Sequence, residues 1–208
     1  FHHISVLHDA CIEGLRIKPD GTYIDATLGG AGHAGSIAER LTSGHLYGLD
    51  RDGDALAAAG ERLAPYRDRV TLVKTDFRDM AAHIKGPVDG VLFDLGVSSF
   101  QLDEPERGFS YLQDAPLDMR MDRTAGLTAY HVVNEFAREE LKRIIADYGE
   151  ERFAGPVAAA IVRERGKKPI ETTLELAEIV ASAVPNAKRE RQHPAKRTFQ
   201  AIRIAVND

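Results

Sequence analysis

The sequence predicts an α/β fold, with a Rossmann-like parallel sheet flanked by helices and then an all-helical block. Three observations support this prediction. Short apolar runs that end in an aspartate alternate with segments of helical periodicity through the first half of the chain. A glycine-rich turn follows the first apolar run, and only helical patterns remain after residue 128. Ligands of such sheets bind at the carboxyl ends of the strands, so we expect a site at that edge.

The composition is that of a globular protein, because 43% of the 208 residues are hydrophobic. This length fits one large domain or two small ones. The formal net charge is −5, so an interface with nucleic acid would need a local cluster of cations. The single cysteine, Cys11, excludes a disulfide framework and a cysteine-cluster metal site, and it suits a reducing compartment.

The apolar runs and the chain ends bear on location and completeness. No apolar stretch is long enough to span a bilayer and the first residues do not resemble a signal peptide, so we expect a cytoplasmic protein with no membrane contact. The chain starts at Phe1 without a methionine and stops at Asp208 within a helical pattern. We therefore expect a fragment of a longer protein, with further strands of the sheet beyond residue 208.

The first elements are an amphipathic helix and the strand that leads into the glycine-rich turn. Apolar residues at helical spacing predict a helix over residues 5–17, with Cys11 buried on its apolar stripe. Residues 22–33 then read as a buried strand, a tight turn and the start of a helix over 34–41. The turn contains three glycines, which allow a close approach to a ligand: Gly29, Gly30 and Gly32.

The turn alone does not identify its ligand, because Gly30–Gly35 also satisfies the dinucleotide fingerprint G-x-G-x-x-G. The next strand, over residues 45–50, ends in Asp50, where a carboxylate would accept hydrogen bonds from ribose hydroxyls. Enzymes that use NAD and enzymes that use S-adenosylmethionine both need that acid. Asp25, just ahead of the glycines, and the acids after the third and fourth strands favour S-adenosylmethionine.

Two further strands complete the predicted sheet, over residues 70–74 and 88–94, after a helix over residues 54–63. Their ends carry Asp76 with Phe77, and Asp94. A single aspartate at a strand end is more often a helix cap or a turn former, but here the set repeats. We expect Asp50 at the ribose, Asp76 and Phe77 at the adenine, and Asp94 at the reacting end.

The second half of the chain predicts an irregular stretch and then helices. Residues 95–103 read as a loop, and residues 104–123 show little periodicity. Helices are predicted over 129–135, 139–148, 156–165 and 172–183, the last with a capping box formed by Thr172 and Glu175. We infer a sheet domain over 1–103, an inserted helical domain over 104–195, and a return into the sheet domain over 196–208.

Basic residues gather at the ends of the helical block, in two groups: Arg163, Arg165, Lys167 and Lys168, then Lys188, Arg189, Arg191, Lys196 and Arg197. Such a run is often only a solvated face. In an acidic protein, however, cations grouped in a few loops would also suit the phosphates of a nucleic acid. The second group continues into His-Pro-Ala-Lys-Arg-Thr-Phe-Gln over residues 193–200, which adds an aromatic ring and polar groups.

Several strings together resemble one family, the bacterial 16S rRNA (cytosine-N4)-methyltransferases of the RsmH or MraW type. The most specific are Pro-Leu-Asp-Met-Arg-Met-Asp over 116–122 and the 193–200 string, and weaker ones lie over 29–33, 49–52, 93–103, 107–110 and 148–153. The resemblance implies a class I S-adenosylmethionine-dependent methyltransferase fold. It also implies methylation of a cytidine N4 in 16S rRNA at the ribosomal P site, within the small ribosomal subunit.

The resemblance also assigns residues. It places S-adenosylmethionine against Ala31, Gly32, His33, Asp50, Phe77, Asp94 and Gln101. Phe100 stands where the family pattern has a proline, which bears on the path of the loop before Gln101. We assign rRNA binding to the cations of the second basic group: Lys188, Arg189, Lys196 and Arg197. The oligomeric state stays open, a homodimer included.

In-line methyl transfer needs alignment and exclusion of water, and it does not require a metal. Methylation at carbon 5 of cytosine would need a cysteine nucleophile, and Cys11 lies on a helix outside the predicted crevice. Attack by the exocyclic N4 is therefore favoured, with Asp94 as the acceptor that hydrogen-bonds the amine. Two alternatives stay open: an NAD-dependent oxidoreductase and a non-catalytic rRNA-binding or ribosome-assembly protein.

Overall fold

The computed structural model describes residues 7–185 and 193–207 and divides into two compact units, Phe1–Phe100 and Gln101–Asp208. Lys188 and Arg189, predicted to bind RNA, lie outside the described residues. Among the described residues, no helix has the length and apolar character needed to cross a membrane.

The first unit is built on a parallel sheet, as predicted. Its strands are β1 (Thr22–Asp25), β2 (His45–Asp50), β3 (Val70–Lys74) and β4 (Gly90–Leu92). In the described part of the chain they lie in the order β3-β2-β1-β4, and every pairing is parallel. Three α-helices accompany them, α1 (His8–Leu15), α2 (Gly32–Arg40) and α3 (Gly53–Arg62), with short 3-10 segments at Ala64–Tyr66 and Phe77–Ala82.

Alternate residues of the strands feed two apolar clusters, which explains why both sides of the sheet are covered. Tyr23 of β1 and Leu46 of β2 belong to a cluster that includes Ile37 of α2. Ile24 and Leu49, on the same two strands, belong to the second cluster, against which Phe77, Met80, Val88 and Val91 pack. The sheet is therefore fixed in register by residues with the period of two that strands impose.

Most boundaries predicted for the first unit are confirmed. The second and third strands have the predicted bounds, and α2 and α3 begin and end within two residues of the prediction. Two differences remain, one of packing and one of element type. Cys11 is half-buried and its neighbour Ile12 is the buried residue of α1. Residues 99–103, predicted as a loop, form the short helix α4 (Ser99–Asp103).

The second unit is helical, with α5 (Ala129–Glu135), α6 (Arg138–Asp147), α7 (Ala154–Arg165), α8 (Thr173–Ala183) and α9 (Lys196–Asn207). Helices α6, α7 and α8 pack in succession, and α9 packs against α5 and α6. The predicted capping box is confirmed: the Thr172 hydroxyl accepts from the Glu175 backbone N–H, and the Glu175 carboxylate accepts from the Thr172 N–H. The division at residues 103 and 195 stays a prediction, as does a return into the sheet domain over 196–208.

The string over residues 116–122 owes its order to hydrogen bonds rather than to regular structure. The buried Arg107 donates from Nη2 to the carbonyl oxygens of Arg120 and Met121, at 2.9 and 3.0 Å. Asp118 forms a two-pronged ion pair with Arg120, at 2.8 and 2.7 Å. Gly108 has φ +71°, and a Cβ there would lie 2.3 Å from the Pro116 carbonyl oxygen. This close approach explains the glycine before the string.

Candidate functional site

The glycine-rich turn between β1 and α2 has two residues in the left-handed region. Gly29 has φ +48° and Ala31, the N-cap of α2, has φ +57°. A left-handed alanine costs about 1–2 kcal/mol, so the surrounding structure must hold it there. Gly30 between them is exposed, and no atom lies within 4 Å of the position that a Cβ would occupy. The turn therefore presents open space at the N-terminus of α2, where backbone N–H groups can meet a ligand.

Asp50, at the carboxyl end of β2, is tied to this turn. Its Oδ2 accepts a hydrogen bond from the Gly29 N–H at 2.8 Å, and its Oδ1 accepts one from the Asp52 N–H at 2.9 Å. Burial raises the pKa of Asp50, while these N–H donors oppose the rise. The two oxygens of a carboxylate can accept about four hydrogen bonds in total, so Asp50 keeps room for a ligand hydroxyl.

Asp25, at the end of β1, lies beneath the same turn and is buried. Its Oδ1 accepts from the Thr27 N–H at 3.2 Å. Burial raises the pKa of Asp25 to about 7, and repulsion from Asp50 and Asp94 adds to the rise. Asp50 and Asp94 therefore both lie close enough to Asp25 to influence its ionisation.

Asp94 follows β4, and its position is set by Thr27. The Asp94 backbone N–H donates to the Thr27 Oγ1 at 2.6 Å. The Asp94 side chain is 46% exposed, and its Oδ2 lies 3.9 Å from Nδ1 of the buried His33. The His33 ring stacks on His8 of α1, with centroids 5.5 Å apart and planes 15° apart. The loop after β4 thus presents a half-exposed carboxylate at the carboxyl edge of the sheet.

Phe77 lies at the end of β3 as expected, and Asp76 has an additional structural role. The Asp76 carboxylate caps the 3-10 segment by accepting from the Arg78 N–H at 2.9 Å, and it pairs with both Arg51 and Arg78. The half-buried Phe77 ring meets the Phe93 ring edge-on, with centroids 5.6 Å apart. An aromatic wall is in place for a ring-shaped ligand. The adenine role of Asp76 stays a prediction.

The structure thus brings together most of the assigned residues of the first unit: Ala31, Gly32, His33, Asp50 and Asp94. Gln101 belongs to the second unit, where it is buried on α4, and its role toward the cofactor stays a prediction. Sequence reasoning missed Thr27, His8 and Arg51. Thr27 lies within residues 22–33, the predicted strand and turn, but nothing in the sequence indicates its hydrogen bond to Asp94, 67 positions later.

The basic residues fall into two kinds in the second unit. The cations of the first group have partners within the unit. Arg165 donates to the Val133 and Phe136 carbonyl oxygens. The other three form ion pairs: Arg163–Glu164, Lys167–Glu164 and Lys168–Glu175. Lys196 and Arg197 open α9 and are exposed. Arg197 donates to the Glu150 carbonyl oxygen at 3.3 Å, and neither cation pairs with a carboxylate of a described residue.

No group of three or more His, Cys, Asp or Glu side chains within residues 7–185 and 193–207 is arranged to hold a metal ion.

Comparison with known proteins gives consistent matches. The chain matches the MraW methylase family over residues 1–208. It is 59% identical to the ribosomal RNA small subunit methyltransferase H of Symbiobacterium thermophilum and 58% identical to that of Brevibacillus brevis. Both alignments cover 100% of this chain, which spans 67% and 68% of the length of those relatives. A solved structure titled as an rRNA methylase, from Streptococcus thermophilus, has 19% identity and a TM-score of 0.38, covering 52% of this chain and 66% of that one.

Proposed function

Because the chain belongs to the MraW methylase family, we propose that it is an S-adenosylmethionine-dependent rRNA methyltransferase. Its proposed product is an N4-methylated cytidine in 16S rRNA, at the P site of the small ribosomal subunit. The relatives named above are small-subunit rRNA methyltransferases, which supports the substrate class. The geometry of the first unit supports the cofactor, and the cations of the second unit support the RNA.

The observation that carries the cofactor proposal is the set of carboxylates around the glycine turn. Asp50 and Asp94 both repel the buried Asp25 carboxyl group, and the Asp94 carboxylate stands half-exposed at the carboxyl edge of the sheet. S-adenosylmethionine brings a sulfonium and an ammonium group, both positively charged, so it complements these acids. The diphosphate of a nicotinamide cofactor would place negative charge against the same acids.

We assign the cofactor-holding roles as follows. Asp50 would accept the ribose hydroxyls, the turn at Ala31 and Gly32 would lie along the amino-acid part, and Phe77 would cover the adenine. His33 and Gln101 complete the set that the family resemblance assigns. When bound, S-adenosylmethionine supplies a methyl group activated by its sulfonium.

Asp94 is the proposed catalytic residue. Its carboxylate is half-exposed, and the Thr27 hydroxyl fixes the backbone from which it projects. A carboxylate in this position can accept a hydrogen bond from the exocyclic amine of cytosine, which localises the nitrogen lone pair for attack. Carbon-5 chemistry needs a cysteine nucleophile, and Cys11 is half-buried on α1 rather than on a loop at the carboxyl edge. The arrangement therefore favours N4.

Transfer of a labelled methyl group from S-adenosylmethionine to 30S particles, followed by nucleoside analysis, tests the function. We expect label in N4-methylcytidine, and we expect Asp94→Asn to reduce the rate of transfer while cofactor binding is retained. Label in 5-methylcytidine would reject the N4 chemistry and the role of Asp94. An absence of transfer, with rRNA binding retained, would favour the non-catalytic RNA-binding alternative.

A further inference from the structure

Three aromatic rings form a column in the second unit. Phe199 is buried on α9, and its ring meets Tyr111 edge-on, with centroids 5.7 Å apart and planes 82° apart. Tyr111 in turn stacks on His193, with centroids 4.8 Å apart and planes 17° apart. Tyr111 is half-buried and His193 is exposed, so the column runs from the core to the surface.

The outer ring is held in position rather than left to rotate. The His193 Nδ1 accepts a hydrogen bond from the Ala195 N–H at 3.2 Å, which fixes the ring relative to the start of α9. Stacking on Tyr111 fixes its plane. A ring that is already ordered loses little conformational entropy when a ligand stacks on it, so it suits binding better than a mobile side chain would.

The chain places positive charge next to this ring. Lys196 and Arg197 occupy the first turn of α9, three and four residues after His193, and that turn carries no acid. Cations at a helix N-terminus face the positive end of the helix dipole, so they do not stabilise the helix. Their charges add to that end and create a local positive potential in a chain whose net charge is −5.

We propose that His193, supported by Tyr111, is a stacking platform for an unpaired base of the RNA substrate, with Lys196 and Arg197 holding the flanking phosphates. Single-stranded nucleic acid is bound by this combination of an aromatic ring and adjacent cations. An acidic peptide would use the cations but would gain little from the ring column. The inference rests on the proposed function, because it names how the same RNA is held.

A thermodynamic cycle tests the platform: the His193 ring is removed from the protein and the bases are removed from the RNA, separately and together. Two probes are used with the whole protein: a fluorescently labelled oligocytidylate, and an abasic ribose-phosphate chain of equal length and charge. For the oligocytidylate we expect His193→Ala to weaken binding roughly 5- to 100-fold, as loss of one base-stacking contact does. For the abasic chain we expect no change, and His193→Phe should restore most of the affinity. Exposed His83 gives the matched control, His83→Ala.

The outcomes separate the platform from the proposed enzyme activity. If His193→Ala weakens both probes equally, or weakens neither, His193 does not stack on a base and the platform is rejected. Wild-type methyl transfer to 30S particles is measured in parallel. If methyl transfer occurs but the effect of His193→Ala does not depend on the bases, only the platform is rejected. If the effect depends on the bases but no methyl transfer occurs, only the methyltransferase proposal is rejected.

Discussion

At the residue scale, the carboxylates of the glycine turn combine structural and binding roles. Asp50 holds the Gly29 N–H and the Asp52 N–H while keeping acceptor capacity toward the open turn. Asp25 is buried beneath them, and its burial costs free energy whenever it is ionised. A residue with two roles must be tested with substitutions that separate them.

Asp50→Ala should weaken binding of S-adenosylmethionine by about 1–3 kcal/mol, because a partly buried ribose hydroxyl would lose a charged acceptor. Isothermal titration calorimetry measures the change. Asp50→Asn keeps an oxygen that can accept from the Gly29 N–H. If part of the affinity lost in Asp50→Ala comes from a loosened turn, Asp50→Asn should weaken binding less than Asp50→Ala does. Asp20→Ala, at an exposed carboxylate, serves as the control. Unchanged affinity in Asp50→Ala would remove Asp50 from the binding site.

Asp25 should make the protein less stable as pH rises toward neutrality. The pKa of Asp25 is about 7 in the folded protein, whereas an aspartate in an unfolded chain has its ordinary pKa of 3.8, so between these values the folded state binds the proton and the unfolded state does not. The free energy of unfolding then falls with rising pH, by up to about 1.4 kcal/mol per pH unit from this group.

Asp25→Asn should remove that contribution, so the difference in stability between the variant and the wild type should grow in the variant's favour from pH 5 to pH 7. Urea denaturation at a series of pH values measures it. Asp20→Asn, at an exposed carboxylate, should follow the wild-type curve. Parallel curves for Asp25→Asn and the wild type would show that Asp25 is not protonated in the folded protein in this range.

At the element scale, the irregular stretch before α5 depends on polar contacts with helix termini. The buried Thr173 hydroxyl, in the first turn of α8, donates to the Gln113 carbonyl oxygen at 2.6 Å and accepts from the Ala115 N–H at 3.0 Å. At the other end of the unit, the Asn207 side chain accepts from the Met121 N–H and donates to the Met119 carbonyl oxygen. These contacts explain how a segment with little periodicity keeps one conformation.

Thr173→Val should lower the free energy of unfolding by about 1–3 kcal/mol, because it removes the hydroxyl from the Gln113 carbonyl oxygen and leaves the buried Ala115 N–H without its partner. The buried Thr198 on α9 gives a matched control, since its hydroxyl has no hydrogen-bond partner among the described residues. Thr198→Val should be neutral or stabilising. Chemical denaturation of both variants measures the difference, and equal losses would contradict the assignment of the Thr173 hydrogen bonds.

At the scale of the whole molecule, the cations differ in whether a carboxylate neutralises them. The chain carries 32 acidic and 27 basic residues, and many of its cations are engaged by neighbouring carboxylates, as in the pairs of Arg120 and Lys168. Lys196 and Arg197 make no such pair with the described residues. An acidic protein that leaves adjacent cations unneutralised keeps a local attraction for phosphates despite its net charge.

Reversing both charges, Lys196→Glu with Arg197→Glu, should weaken rRNA binding and flatten its dependence on salt. Each lost phosphate contact should lower the slope of log affinity against log salt by roughly 0.7–0.9. The exposed neighbours Lys142 and Arg143 on α6 give a control with the same residue types and the same change in net charge. Filter binding across a salt series measures both. If the two double variants share one slope, the effect comes from net charge alone and the residues do not contact phosphates.

The sequence by itself determined the type and order of most elements, the strand-end acids and the family strings. Period-two and period-3.6 patterns fixed β2, β3 and α5, and the capping residue Thr172 marked the start of α8, because these signals depend on neighbours along the chain. The helix over Ser99–Asp103 was missed, because a single turn is too short to show a period.

Only the tertiary structure decided which acids and cations have partners. Thr27 holds Asp94 across 67 positions, and Asp50 holds Gly29 across 21. Likewise, the cations at 163–168 are occupied by carboxylates and carbonyl oxygens, whereas Lys196 and Arg197 make no ion pair with a described carboxylate. Such hydrogen bonds and ion pairs follow from strand register and helix packing, which bring together residues that are distant in sequence. A local sequence pattern therefore does not predict them.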